Sequence, residues 1–163
     1  MSNIVIRKSA VLDESAIKDL FLLCYGFKWC ISELLDTLDN RYYLLFDDDE
    51  LVAMTGLIYS EEYMALEVDW TCTHPDYRHK GYIQRLFSEM LKDIDENVYC
   101  SCWRLNNKDK PNLYSIMKIF GFEKVIEPEH SYQASHNCHC PNDCKFSLGN
   151  SCVCWTDLYL RKK

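Results

Sequence analysis

The chain has 163 residues, 48% of them apolar, with a net charge of −7 and ten cysteines. That length and apolar share suit one globular domain and exclude a disordered or collagen-like chain. The acidic balance argues against nucleic acid as a partner, and the longest apolar run, Leu20 to Phe27, is too short to span a membrane.

Ile4 to Arg7 alternates apolar and polar residues and predicts a strand. Asp13 offers an N-cap to a helix with Ile17, Leu20, Phe21 and Cys24 on one face. Ile31, Leu34, Leu35 and Leu38 predict a second, short helix. Arg41 to Phe46 and Leu51 to Ser60 flank the acidic turn Asp47 to Glu50 and read as a hairpin, with Tyr63 to Thr73 as the next strand.

After Pro75 the period changes. Ile83, Leu86, Phe87, Met90, Leu91 and Ile94 mark an amphipathic helix, and Val98 to Arg104 a strand beyond it. Strand, helix and strand at this spacing imply a parallel pair with a right-handed crossover. Pro111 opens a helix carrying Leu113, Ile116, Met117 and Phe120, which Gly121 stops. Phe122 to Ile126 and Cys154 to Leu160 close the sheet as an antiparallel pair. The polar segment between them, Glu127 to Ser151, is longer than a hairpin needs. One domain over residues 1–163 follows, with a cysteine-rich insertion at about 128–152.

The stretch Thr71 to Ile83 follows a strand and opens the most regular helix of the chain. Helix-start amides are unpaired and carry the positive end of the helix dipole; Arg78 and Lys80 add charge there. Such a start suits a ligand bearing two or three phosphates, although a basic turn that only caps a helix reads the same way.

Pro75, Tyr77, Arg78, Lys80 and Gly81 resemble the acetyl-coenzyme A loop of GNAT N-acetyltransferases, with core pattern Arg/Gln-x-x-Gly-x-Gly/Ala. Lys118-Ile119-Phe120-Gly121-Phe122 resembles that family's closing signature, and the element order agrees over most of the chain. Ile83 departs from the pattern at the second Gly/Ala position. The resemblance implies an α/β (α+β) acyltransferase fold, a mixed central sheet flanked by helices. It implies coenzyme contacts at Cys72, Thr73, Arg78, His79, Lys80, Gly81, Tyr82, Ile83 and Asn112, with Asn112 read here as a helix cap. It also implies that Cys72 and Thr73 pair with the pantetheine arm, while Val98 to Trp103 splays away to admit the thioester.

Acyl transfer to an amine requires loss of a proton. Glu67 and Asp69 lie two apart on the entering strand, so their carboxylates share a face. Glu67, fourteen residues before Gly81, resembles the family's general base, although an exposed strand carboxylate is an equal reading. Asp69 is a candidate to hold a cationic substrate. The family's usual tyrosine acid is replaced by Met117, which leaves Tyr114 as a substitute, a packing residue or a coenzyme contact. Cys72 is the best-placed thiol, but no His–carboxylate pair is evident to activate it. Trp70, Trp103 and Trp155 read as buried core before they read as an acceptor pocket.

Cys138, Cys140, Cys144, Cys152 and Cys154 crowd near the C-terminus, with His136 and His139 among them. No apolar h-region follows the N-terminal charges, so the expected compartment is the reducing cytoplasm, where clustered thiols favour zinc over disulfides. Disulfides or a redox site stay open. The sequence therefore predicts direct acetyl transfer from acetyl-coenzyme A to a primary amine, of a small molecule or a protein. Two alternatives stand beside it, a non-catalytic acyl-coenzyme A-binding module and a metal-stabilised interaction module on the same fold.

Overall fold

A computed structural model describes residues 3–26, 31–36, 38–105, 109–125, 131–133, 147–148, 151–152 and 154–163. The chain forms two compact units, Met1–Ile58 with Val68–Ile94, and Tyr59–Glu67 with Asp95–Lys163. Among the described residues no helix is long and apolar enough to cross a membrane.

The first unit begins with β1 (Ile4–Lys8), a 3-10 turn at Val11–Asp13, α1 (Glu14–Tyr25) and α2 (Ile31–Leu35). Next come β2 (Tyr42–Asp47), β3 (Glu50–Ser60) and β4 (Ala65–Thr73), then a 3-10 turn at Pro75–Tyr77 and α3 (Tyr82–Leu91). β1 pairs antiparallel with β2 from Ile4↔Asp47 to Lys8↔Tyr43. β2 pairs with β3, and the register shifts between Leu45 and Phe46. Leu44 and Leu45, adjacent in sequence and in regular register with Met54 and Ala53, are both fully buried, so both faces of β2 are covered there. Residues 51–56 of β3 are buried without alternation, so both faces of this strand are covered. The strand therefore reads in sequence as a continuous run, Leu-Val-Ala-Met-Thr-Gly.

α1 buries Ile17, Leu20, Phe21 and Cys24, the four positions its spacing picks out. Its N-cap residue is Asp13, as predicted, but the expected cap hydrogen bond is absent. Arg7 holds that carboxylate at 2.6 and 2.7 Å, and the Ala10 amide donates to it at 2.9 Å. α2 ends at Leu35, short of the predicted Leu38. Trp70 is half-buried, with Phe21 5.0 Å and Tyr25 5.7 Å away edge-on. Gly56 is required by space: a Cβ there would lie 2.9 Å from the Tyr42 ring and 3.1 Å from the Asp69 Cβ.

The second unit contains β5 (Val98–Leu105), α4 (Tyr114–Ile119), β6 (Glu123–Lys124), β7 (Ser131–Gln133), a small hairpin of β8 (Ser147–Leu148) with β9 (Ser151–Cys152), and β10 (Cys154–Arg161). β4 and β5 are parallel at Leu66↔Val98 and Glu67↔Tyr99, as the strand–helix–strand spacing requires. β10 lies antiparallel to β5 along its whole length, and β6 and β7 both pair with β10. Pro111 lies ahead of α4 rather than inside its first turn; its carbonyl accepts from the Tyr114 amide at 3.1 Å. Asn112 is exposed and does not cap the helix, because the cap position is Leu113.

Within the first unit the strand order is β1-β2-β3-β4, and within the second β4-β5-β10-β6, with β7 also on β10. β3 and β4 contribute to both units. The result is the expected mixed sheet of seven principal strands flanked by helices.

Candidate functional site

β4 ends at Thr73, and the His74 amide donates to the Val52 carbonyl at 2.8 Å. Pro75 sets the first position of the 3-10 turn, and the Asp76 amide donates to His74 Nδ1 at 3.3 Å. The chain then passes through left-handed conformations at His79 (φ 64°) and Gly81 (φ 77°) before α3 starts. Gly81 is the N-cap residue, and no side chain accepts from the first-turn amides. Arg78, His79, Lys80 and Arg85 are all exposed around this start. Free amides, dipole and three permanent cations thus coincide at one point, which is the arrangement a diphosphate needs.

Ile83, the departure from the loop pattern, is half-buried and packs on the cluster of Leu45, Val52, Ala53, Tyr82 and Leu86. Its bulk lies in the core of this unit.

Two phenols tie the loop to the β2–β3 turn. Tyr82 donates to Asp47 Oδ2 at 2.5 Å, and Tyr77 donates to Glu50 Oε2 at 2.7 Å. The bond to Glu50 and partial desolvation push the Tyr77 phenol up to about 12; Asp47 likewise raises Tyr82. Both remain protonated donors. The acidic turn reads from sequence only as a polar connection, because these pairings bridge 27 and 35 residues. The Lys80 ammonium lies 4.2 Å from the Tyr77 ring centroid.

Glu67 Oε1 accepts a hydrogen bond from Ser101 Oγ at 2.9 Å. Glu67 is registered opposite Tyr99 on β5, so Ser101, two residues further on, stands on the same face. Asp69 differs. Arg41 donates to its Oδ2 from Nη2 at 2.7 Å and from Nε at 3.0 Å, and the Tyr42 hydroxyl adds a longer bond at 3.4 Å. Side-chain exposure is 12% for Asp69 and 9% for Arg41. Burial pushes the Asp69 carboxyl up against the opposing pull of Arg41. Asp69, the candidate holder of a cationic substrate, is thus engaged by Arg41, a pairing across 28 residues that no local pattern announces.

Cys72 is buried. Its hydrogen bond with Cys24, together with burial, pushes the thiol well above the usual range, so it is a poor nucleophile. Cys24 Sγ also donates to the Thr73 carbonyl at 3.2 Å. Tyr114 starts α4 half-buried, with the Lys110 ammonium 4.5 Å from its ring centroid, and Met117 is fully buried. Cys138, Cys140 and Cys144 lie outside the described residues, while Cys152 and Cys154 are placed as residues of β9 and β10. Among the described residues no three His, Cys, Asp or Glu side chains cluster to hold a metal.

The sequence model of the acetyltransferase (GNAT) family matches residues 15–122, from α1 to the glycine turn after α4. The chain belongs to the GNAT acetyltransferase family. As a GNAT protein it is an acyltransferase, of the class that moves an acyl group from acyl-coenzyme A to an acceptor. No curated protein matches it in sequence. Solved structures similar in fold include a GNAT-family acetyltransferase from Bacillus cereus (13% identity, 99% of this chain and 98% of that one, TM-score 0.69). Another is the ribosomal-protein-S18-alanine N-acetyltransferase of Escherichia coli (11%, 97% and 92%, TM-score 0.70). A third is an aminoglycoside 6′-N-acetyltransferase complexed with coenzyme A (14%, 96% and 96%, TM-score 0.66).

Proposed function

We propose that this GNAT protein transfers acetyl from acetyl-coenzyme A to a primary amine by direct attack of the amine on the thioester. The observation that carries the reading is the α3 start, where Gly81 at φ 77° leaves the first-turn amides uncapped amid Arg78, Lys80 and Arg85. The main-chain amides of Gly81, Tyr82 and Ile83 would take the pyrophosphate, with Arg78, His79 and Lys80 beside it and Cys72 and Thr73 along the pantetheine arm. Asn112, now without a capping role, is a further coenzyme contact.

Glu67 acts as the base that removes the amine's proton. The amine nitrogen then bonds to the carbonyl carbon, and the collapsing intermediate expels the coenzyme thiolate. A thiolate leaves without an obligatory acid, in keeping with a buried Met117 where other members carry tyrosine. Tyr114 receives no catalytic role in this reading. The raised Cys72 thiol also supports direct attack over a covalent acetyl-enzyme.

The test is thiol release from acetyl-coenzyme A against a panel of small amines and amino-terminal peptides. Amine-dependent release is expected; coenzyme binding without release on any acceptor would turn the assignment to a binding module. We also read the chain as one acetyltransferase domain of the cytoplasm, a compartment suited to the buried reduced thiols Cys24, Cys72, Cys100 and Cys102. Cys138, Cys140, Cys144, Cys152 and Cys154 supply four ligands to one zinc ion in this reading, so elemental analysis should find close to one zinc per chain.

A further inference from the structure

The second unit holds a cavity of about 530 Å³, within the usual span of small-molecule sites of about 300–1,000 Å³. Three ammonium groups line it, Lys110, Lys118 and Lys124, together with the rings of Tyr114, Phe122 and Tyr159. None of the loop residues 73–83 contributes to the wall, so this is not the diphosphate site.

Tyr159 decides what the cavity can take. The residue is 4% exposed, yet its hydroxyl has no hydrogen-bond partner among the described residues. It is not sealed either, so what remains accessible of this side chain opens to the cavity it lines. Burial, with Cys102, Asp157 and Tyr114 nearby, pushes the phenol up to about 12. It is therefore a standing donor at neutral pH, open to an acceptor in the cavity it lines.

The charges narrow the choice. Lys124 is paired with Asp157 at 2.9 Å, while Lys118 is exposed and has no ion pair among the described residues. Asp109 and Glu123 also reach the wall, and Asp157 is shared by Lys124 and Arg104, which leaves three ammonium groups and one guanidinium against three carboxylates. A surplus of one positive charge suits a single negative charge better than a polyphosphate. Two further aromatic rings beside it favour a flat apolar body.

We propose that this cavity binds a small monocarboxylate carried on a planar apolar group, as a second ligand independent of the coenzyme. Its carboxylate accepts from Tyr159 and pairs with Lys118, and its ring lies against Tyr114 and Phe122. The proposal does not rest on acetyl transfer.

The test is calorimetric titration of benzoate into the whole protein saturated with coenzyme A, with inorganic phosphate and benzylamine as comparisons. Benzoate should bind one to one with a Kd below about 1 mM. Phosphate should bind more weakly and benzylamine not at all. Tyr159→Phe, which keeps the ring and removes the donor, should weaken benzoate about tenfold. Lys118→Glu, at an exposed position, should weaken it more, and both variants should retain coenzyme binding. No benzoate binding to the unaltered protein, equal binding of phosphate or benzylamine, displacement by coenzyme A, or full affinity in Lys118→Glu would each overturn the proposal.

Discussion

Gly81 serves two purposes through one dihedral angle. Its φ of 77° turns the chain into α3, and its missing side chain leaves the helix-start amides open. Gly81→Asp should cost only about 1 kcal/mol of stability, since aspartate tolerates the left-handed region. It should weaken coenzyme A at least tenfold by calorimetry, because a carboxylate then occupies the anion's place. Glu67 makes a different demand. Glu67→Gln should lower turnover about 10²–10⁴-fold with coenzyme affinity unchanged. Ser101→Ala, which removes a donor to that carboxylate, should leave the enzyme active and move the acidic limb of its pH–rate profile upward. A Glu67→Gln enzyme with full activity between pH 6 and 8 would pass the role to water.

At the scale of elements, the helices and strands are legible wherever one local period dominates. α3 shows its apolar stripe in Leu86, Phe87, Met90 and Leu91, and β3 its continuous apolar run. What escapes the sequence is decided by partners far along the chain. Asp13 looks like a cap because its residue type suits one, and Arg7 takes the carboxylate instead. Asp69 reads as a neighbour of Glu67 on one strand face, and its ion pair with Arg41 is made across 28 residues. The loop proposed to take the coenzyme shows its glycine and basic residues in the sequence, whereas its two phenol tethers are silent until β2 and β3 are folded. Those tethers fix the loop to the β2–β3 turn, and a preformed loop loses less freedom on binding. The double variant Tyr77→Phe, Tyr82→Phe should therefore weaken coenzyme A severalfold in calorimetry, even though neither hydroxyl is proposed to touch it.

At the scale of the whole molecule, pH should act from both ends. Asp157 is 1% exposed; burial pushes its carboxyl up, but Arg104 at 2.7 Å and Lys124 at 2.9 Å outweigh that and hold it below the usual range. A lowered carboxyl contributes stability that is complete above its unfolded value and is lost as pH falls through the folded one. Arg104→Ala should cost about 3 kcal/mol near neutrality, because it strips a buried charge of a partner, and the loss should shrink in acid melts. Raised phenols act in the opposite sense. The stabilisation from Tyr77 and Tyr159 is complete below the free phenol value of about 10 and disappears as the pH climbs to about 12. Thermal melts across that interval should show a steep alkaline decline, reduced in Tyr77→Phe.

The crowding at Gly56 bears on how this chain can vary. Position 81 is restricted by a torsion that several residues adopt at modest cost, so a library selected only for folding should recover asparagine and aspartate there. Position 56 is restricted by occupied volume, between the Tyr42 ring and the Asp69 Cβ. Even alanine must displace the ring or the strand that positions the Arg41–Asp69 pair. Deep mutational scanning should accordingly show an almost empty row at 56 for folding itself, and at 81 a row that empties only when selection is for coenzyme-dependent activity. Two glycines that look alike in the sequence would then separate, one recording the architecture and the other the ligand.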